Sequence, residues 1–411
     1  MSRNPENNLI VGLDIGTSKI CAVVGSRTAD GDVEIIGIGR HPSRGLRKGV
    51  VVNIESTVSS IRAAVEEAEL MAGCTIDAVY AGIAGSHIRG HNSQGVVAIK
   101  NQEVDEADVQ RVIDNGKAFA LPTDQKVLHV LPQEFIIDNQ EGVREPVGMS
   151  GVRLEAKIHV ITGAVSAVQN IIKCVRRCEL DVNDVVLEQV ASAESVLSED
   201  ERELGVCMVD IGGGTSDIAV YTQGSLRHTA VLPVGGDQIT NDIAFALRTP
   251  TWAAEEIKQN YGCALTDLIT EDEEIDVPSV GGREPRKLAR QTLAEIIQPR
   301  VEELYGLVQE ELRRSGLEEV VASGIVLTGG SSQTEGMQEL AEEVFHAPVR
   351  IGWPEGVGGL NDVVRNPMYA TGVGLVLFGL HHGGDLTVRD WSGPGWKTLV
   401  KRMRAWFREN F

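Results

Sequence analysis

Apolar and polar positions alternate along the chain in blocks that predict a mixed α/β fold. Short apolar runs at 9–13, 20–27 and 33–39 read as a strand meander, the last two joined by the turn Ala29-Asp30-Gly31. Ile54, Val58, Ile61, Val65 and Ala68 then recur at three-to-four spacing, which predicts a helix over 53–71, stopped by Gly73. A buried strand is expected at 78–83. From 85 to 161 the pattern changes to strands at 95–100, 126–138 and 152–161 around a helix at 106–120 that ends before Pro122. This reads as an α+β insertion within an α/β alternation. Helix 165–178, strand 184–187 and helix 189–197 resume the alternation. A helical stretch at 239–261, broken near Pro250, precedes an acidic, irregular region at 270–278. The amphipathic run 288–314 carries Pro299, where a kink is expected. Helix 336–344 and strand 349–351 follow, and 381–395, rich in Gly, reads as a linker.

Three glycine turns punctuate this pattern. The first lies in Val11-Gly12-Leu13-Asp14-Ile15-Gly16-Thr17-Ser18-Lys19-Ile20 and the second in Met208-Val209-Asp210-Ile211-Gly212-Gly213-Gly214-Thr215-Ser216-Asp217-Ile218. Each sets an apolar run before an Asp, then a Gly/Thr/Ser turn, then a second apolar run. The third, Leu327-Thr328-Gly329-Gly330-Ser331, again closes a buried strand. Two facing hairpins of this kind suit a nucleotide clamped between similar half-molecules. Glycines let the backbone approach the β- and γ-phosphates with amide hydrogens pointing inward. Thr17, Ser18 and Thr215 add hydroxyls, and Lys19 adds positive charge. Asp14 and Asp210 would be costly beside phosphate without a cation, so both are candidates to hold Mg²⁺ through its retained waters. Neither a P-loop nor a Gly-x-Gly-x-x-Gly dinucleotide turn is present.

Composition narrows the remaining possibilities. With 42% apolar and 24% charged residues in 411, the chain is globular and long enough for two or three domains. A net charge of −21 argues against nucleic acid as a partner. Residues 1–8 are polar and lead straight into the first strand, so no secretory signal is expected. The apolar stretch 369–380 is too short to span a bilayer. Six scattered cysteines fit reduced thiols, with Cys174 and Cys178 read as buried thiols and His381-His382 as linker.

Residues 396–411 stand apart. Lys397, Lys401, Arg402, Arg404 and Arg408 face a single acid, Glu409. At about 100° per residue, Trp396, Leu399, Val400, Met403, Trp406, Phe407 and Phe411 fall on one apolar arc. That is the pattern of an amphipathic helix lying on anionic lipid, with a terminal helix packed on the core as the alternative.

The three glycine turns resemble the phosphate-1, phosphate-2 and adenosine motifs of the actin, heat-shock chaperone and sugar-kinase superfamily. Within it the chain is most similar to the FtsA family of bacterial cell-division proteins. The stretches that carry this are 12–19, Arg44-Gly-Leu-Arg-Lys-Gly-Val-Val-Val-Asn53, 209–215, Pro278-Ser-Val-Gly-Gly-Arg283, 290–295 and the basic-aromatic tail. The resemblance implies an actin-like two-lobed ATPase fold with an α+β insertion subdomain and a C-terminal amphipathic helix. The first lobe would comprise 1–84, 163–199 and 358–382, the insertion 85–162, and the second lobe 200–241 and 301–357. A docking subdomain at 242–300, a linker at 383–395 and the membrane helix at 396–411 complete the division.

The resemblance further implies ATP and Mg²⁺ as cofactors. Asp14, Gly16, Thr17, Ser18, Lys19, Asp210, Gly212, Gly213, Gly214 and Thr215 would meet the phosphates and metal. Gly329, Gly330 and Ser331 would contact the adenosine, Glu255 and Lys258 the ribose and base, and Glu188 would orient the attacking water. At most weak ATPase activity is expected. The tail of the tubulin-like protein FtsZ is the implied partner for Arg286, Lys287, Arg290 and Arg300; their alternative is pairing within the chain. Self-association into filaments, contacts of other division proteins with the insertion, and a peripheral place on the cytoplasmic face of the inner membrane at mid-cell also follow from the resemblance. The alternatives are a PilM-like pilus-assembly protein and a sugar kinase of the same superfamily.

Overall fold

A computed structural model describes residues 8–118, 121–270, 273–281 and 284–382. In chain order the first lobe contains β1 (Leu9–Ile15), β2 (Lys19–Arg27), β3 (Val33–Pro42), β4 (Leu46–Arg47), β5 (Val50–Val51), α1 (Ile54–Ala72) and β6 (Ala78–Ile83). An inserted unit follows: β7 (Arg89–Ala98), α2 (Glu106–Gly116), β8 (Gln125–Ile137), β9 (Gln140–Val143) and β10 (Arg153–Ala164). The chain returns through α3 (Val165–Arg176), β11 (Asp181–Leu187) and α4 (Glu188–Val196).

The second lobe begins with α5 (Glu199–Leu204), β12 (Val206–Ile211), β13 (Ser216–Thr222), β14 (Ser225–Leu232), α6 (Gly236–Leu247) and α7 (Thr251–Tyr261). It continues through β15 (Glu274–Val277), β16 (Arg286–Ala289), α8 (Arg290–Ser315), β17 (Ile325–Thr328), α9 (Met337–Phe345) and β18 (Val349–Ile351). Finally β19 (Gly358–Gly359), α10 (Asn361–Val364) and α11 (Ala370–His382) pack back on the first lobe.

The two main sheets repeat one plan. In the first, ordered β11-β6-β1-β2-β3-β19, β1 pairs antiparallel with β2 and parallel with β6. In the second, ordered β14-β13-β12-β17-β18, β12 pairs antiparallel with β13 and parallel with β17. Each lobe therefore sets a hairpin turn at the carboxyl end of its central strand, beside the end of a parallel neighbour. Ligands bind at that edge in sheets of this kind.

Local chemistry explains where the elements start and stop. The Asn53 side chain accepts the Ser56 N–H at the start of α1, and Gly73 ends the helix at φ 65°. The face of α1 that carries Val58, Ile61, Ala64, Val65 and Ala68 is buried. It lies so close to β3 that a Cβ on Gly39 would fall 1.8 Å from the Ala64 carbonyl oxygen. The apolar stretch that becomes α11 is buried from Ala370 to Leu380 against α4 and β1. Among the described residues no helix is long and apolar enough to cross a membrane.

The insertion has its own sheet, β7-β10-β8-β9, and its own apolar core around Val112, Phe135, Leu154 and Ile158. It is fastened to β14 of the second lobe. Gln133 donates to the Leu226 carbonyl at 2.9 Å, Ser225 Oγ to the Gln133 carbonyl at 2.8 Å, and His159 Nε2 meets Thr229 Oγ1 at 2.9 Å.

Several boundaries differ from the sequence reading. The region expected to be irregular at 270–278 contains β15, which pairs antiparallel with β16. The amphipathic run thought to begin at 288 becomes helix only at Arg290, because 286–289 are used in that hairpin. Ile275 and Val277 turn inward while Glu274 and Asp276 stay exposed, a two-residue alternation hidden by its shortness. Pro299 lies inside α8, at the position where the sequence predicts a kink. Strand β7 begins at Arg89, before the expected 95.

Candidate functional site: a cleft between paired glycine hairpins

A cleft of about 790 Å³ opens between the two lobes. The β1–β2 turn lines it with Gly16, Thr17, Ser18 and Lys19, and the β12–β13 turn with Gly212, Gly213, Gly214 and Thr215. Gly329, Gly330 and Ser331 follow β17 into the same space. Asp14, Asp210, Glu188, Glu255 and Lys258 also line it. Every residue assigned from sequence to nucleotide or metal thus converges on one cleft.

The turns meet closely. A Cβ on Gly213 would fall 1.8 Å from Ser18 Oγ, and one on Gly214 would fall 2.7 Å from Thr17 Oγ1. Gly329 has φ 84°, and a Cβ there would sit 2.3 Å from Asp210 Oδ1. Glycine is therefore required at that position both for its backbone conformation and for the carboxylate beside it. Gly236 N–H and Asp237 N–H donate to the Gly212 and Gly213 carbonyls at 2.9 and 2.8 Å, which ties the second turn to the start of α6.

Charge is concentrated on the floor. Lys19 Nζ lies 2.8 Å from Asp14 Oδ2. Burial pulls the Lys19 ammonium down, but Asp14 and Asp210 hold it above the ordinary lysine value. Asp210 accepts from Ser192 Oγ at 2.6 Å and from Thr371 Oγ1 at 3.3 Å. Burial, with Asp14 nearby, raises its carboxyl. Glu188, at the first position of α4, is raised well above the carboxylate range by burial and by Asp14, Asp217 and Asp210. Gly82 makes room for it, since a Cβ there would lie 3.1 Å from Glu188 Cγ.

Asp217 is the residue that sequence reasoning passed over. It is opposite Asp210 in the β12–β13 register, lines the cleft, and is pushed up to about 8 by burial and by Asp210. Thr215 donates to its Oδ2 at 3.0 Å, while its buried Oδ1 accepts no hydrogen bond. Its position seven residues after Asp210, across a tight hairpin, is the signal that would have found it.

This floor fits a hydrated divalent cation. Asp14, Glu188, Asp210 and Asp217 line the cleft with Lys19, and one buried carboxylate oxygen, Asp217 Oδ1, lacks a hydrogen-bond partner. Among the described residues no three His, Cys, Asp or Glu side chains form a direct ligand cage. A hard cation that keeps several waters needs no such cage.

Lys258 is buried and donates to the Gly236 carbonyl at 3.1 Å, Thr240 Oγ1 at 2.8 Å and Glu255 Oε2 at 2.7 Å. By spacing alone the Glu255–Lys258 pair would pass for a solvated helical pair; here it lines the cleft wall.

The four basic residues assigned to partner docking do not form one free patch. Arg286 donates to the Leu247 carbonyl, Lys287 pairs with Glu274 at 3.0 Å, and Arg300 pairs with Asp242 at 2.5 Å and with Glu303. Arg290 pairs with Glu273 at 2.6 Å and with Glu335, and it lines the same cleft. Trp396, Leu399, Val400, Met403, Trp406 and Phe407 lie outside the described residues.

Comparison with known proteins bears on this arrangement. The family model for "Cell division protein FtsA" matches residues 207–374, and that for "SHS2 domain inserted in FTSA" matches 85–162. A protein named Cell division protein FtsA from Pseudomonas aeruginosa is 60% identical over 417 residues, covering 100% of each chain. Among solved structures, PilM in the PilM-PilN type IV pilus biogenesis complex has a TM-score of 0.66 at 16% identity, over 90% of this chain and 98% of that one. MreB5 of Spiroplasma citri bound to ADP has a TM-score of 0.55 at 14% identity, over 97% and 99%. The fold is actin-like.

Proposed function

The chain belongs to the FtsA family of cell-division proteins, and from that premise we propose that it is an ATP-binding adaptor that polymerises, docks the FtsZ tail and tethers it to the membrane. The observation that carries the nucleotide part of this reading is the convergence of both glycine hairpins on one cleft whose floor combines Lys19 with carboxylates; the adaptor part rests on the family.

In this reading the two turns cradle the phosphates with their backbone amides, and Lys19 neutralises phosphate charge. Asp14 and Asp210 would hold Mg²⁺, which would supply screening of phosphate charge when bound. The Gly329–Ser331 turn supports the adenosine, and Glu255 with Lys258 meets the ribose and base. Glu188, at the start of α4, orients the attacking water. The ADP-bound MreB5 relative supports nucleotide binding in this fold.

Resemblance to the family also supports filament formation and the roles of the remaining parts. The insertion, with its own core, contacts other division proteins. The 242–300 region docks FtsZ, and the 396–411 tail lies on anionic lipid at the cytoplasmic face of the membrane, at the division site. Individually modest anchors would gain strength through avidity in a filament.

The test is flotation of FtsZ with anionic vesicles. The full chain should carry FtsZ to the vesicles, and a chain lacking 396–411, or carrying Trp406→Glu, should leave it behind while melting at the same temperature. A truncated chain that still recruits FtsZ would contradict the tether.

A further inference from the structure

We propose that Arg290 is a base-recognising wall of the nucleotide cleft, presenting a flat guanidinium to the face of the purine; this deepens the nucleotide reading above and rests on it.

Arg290 occurs at a junction, where β16 ends and α8 begins, and its N–H donates to the Glu273 carbonyl at 2.8 Å. Its side chain is only 15% exposed. All three guanidinium nitrogens are engaged. Nε donates to the Tyr261 carbonyl at 2.9 Å, Nη1 meets Glu273 Oε2 at 2.6 Å, and Nη2 meets Glu335. These partners come from the end of α7, the segment before β15 and the segment after the third glycine turn. None belongs to the phosphate hairpins.

The consequence is chemical. A guanidinium whose edge donors are held by carbonyl and carboxylate oxygens is poorly placed to grip phosphate. A guanidinium is also a planar, weakly hydrated cation whose faces stack on aromatic rings. Glu273 and Glu335 hold that plane fixed and offset its charge. Arg290 lines the cleft together with Glu335, Gly262 and Asn260. The sequence pattern groups it with Arg286 and Lys287 as a docking cation, but its position is that of a ligand wall.

Stacking on the base and simple bracing of the β15–β16 hairpin make different predictions. A base wall should matter to a nucleotide and not to a bare polyphosphate, and Lys should not replace Arg, since it keeps the charge but lacks the plane. The experiment is competition by ATP and by inorganic tripolyphosphate against a ribose-labelled fluorescent ATP, with Mg²⁺ present, in wild type, Arg290→Ala and Arg290→Lys.

Both variants should bind ATP about tenfold more weakly, the scale of a desolvated cation–π contact, with tripolyphosphate affinity unchanged. Arg290→Lys binding ATP like wild type, or tripolyphosphate weakening in step with ATP, would overturn the proposal and leave Arg290 a structural brace. Wild type failing to take up the labelled ATP would instead overturn the nucleotide reading on which the proposal stands.

Discussion

Ser192 donates its hydroxyl to Asp210 across 2.6 Å, joining α4 of the first lobe to β12 of the second. Thr371, at the start of α11, reaches the same carboxylate oxygen at 3.3 Å and lies 3.0 Å from Ser192. Two separate parts of the chain thus set the direction of one acid at the cleft floor.

Replacing Ser192 with Ala removes the shorter of these bonds and leaves a buried carboxylate under-satisfied. A cost of about 1–3 kcal/mol in stability is expected. Asp210 would also lose its orientation, so ATP affinity measured with Mg²⁺ should fall more than affinity measured with EDTA. Thermal melts and the two titrations on Ser192→Ala check this. Equal ATP affinities in wild type and variant, with Mg²⁺, would show that the hydroxyl does not position Asp210.

Asp217 predicts a pH dependence in the ligand-free protein. Its carboxyl is raised from 3.8 to about 8, so between those values the folded chain holds a proton that the unfolded chain has released. Stability contributed by this group is therefore present at low pH and lost as pH rises through that window. Asp217→Asn cannot titrate. Its melting temperature should fall less than that of wild type between pH 5 and pH 8 (about the upper part of the window) and should exceed it at the alkaline end. Parallel profiles would remove Asp217 as the source.

Charge reversal around β16 should separate partner docking from nucleotide binding. Lys287 is largely exposed and held only by Glu274 among the described residues, so Lys287→Glu should weaken capture of FtsZ tail peptide, most clearly at low salt. Arg286→Glu should act the same way. Arg300→Glu carries a second effect, because it would face Asp242 and Glu303 with a third carboxylate and lower the melting temperature. ATP affinity should survive the Lys287 and Arg286 changes. Tail peptide retained at wild-type strength by both variants would move the docking site elsewhere.

What could be read from the sequence was what is encoded locally. An apolar run, an Asp and a Gly/Thr/Ser turn specify a hairpin by themselves, so Asp14, Lys19 and Asp210 could be assigned before any tertiary contact was known. Asn53 and Gly73 bracket α1 for the same reason. The parts that escaped depend on chain segments brought together by folding. Thr371 is 161 residues from Asp210 and carries no local mark. Ser192 had a weak one, lying one helical turn after Glu188 on α4. The β15–β16 hairpin consists of two four-residue strands in which only Ile275 and Val277 are buried, so composition alone suggested an irregular acidic loop. The docking role of Arg290 comes from the resemblance, while its hydrogen-bond partners Tyr261, Glu273 and Glu335 lie 29, 17 and 45 residues away and carry no local mark.

The most direct test is titration of the full chain with labelled ATP and Mg²⁺, beside Asp210→Ala. If the paired hairpins clamp a nucleotide, wild type binds one ATP per chain, and the variant binds it at least about tenfold more weakly, since phosphate charge loses its metal-holding carboxylate. Unchanged affinity in Asp210→Ala, or no binding by wild type, would contradict the account of this cleft.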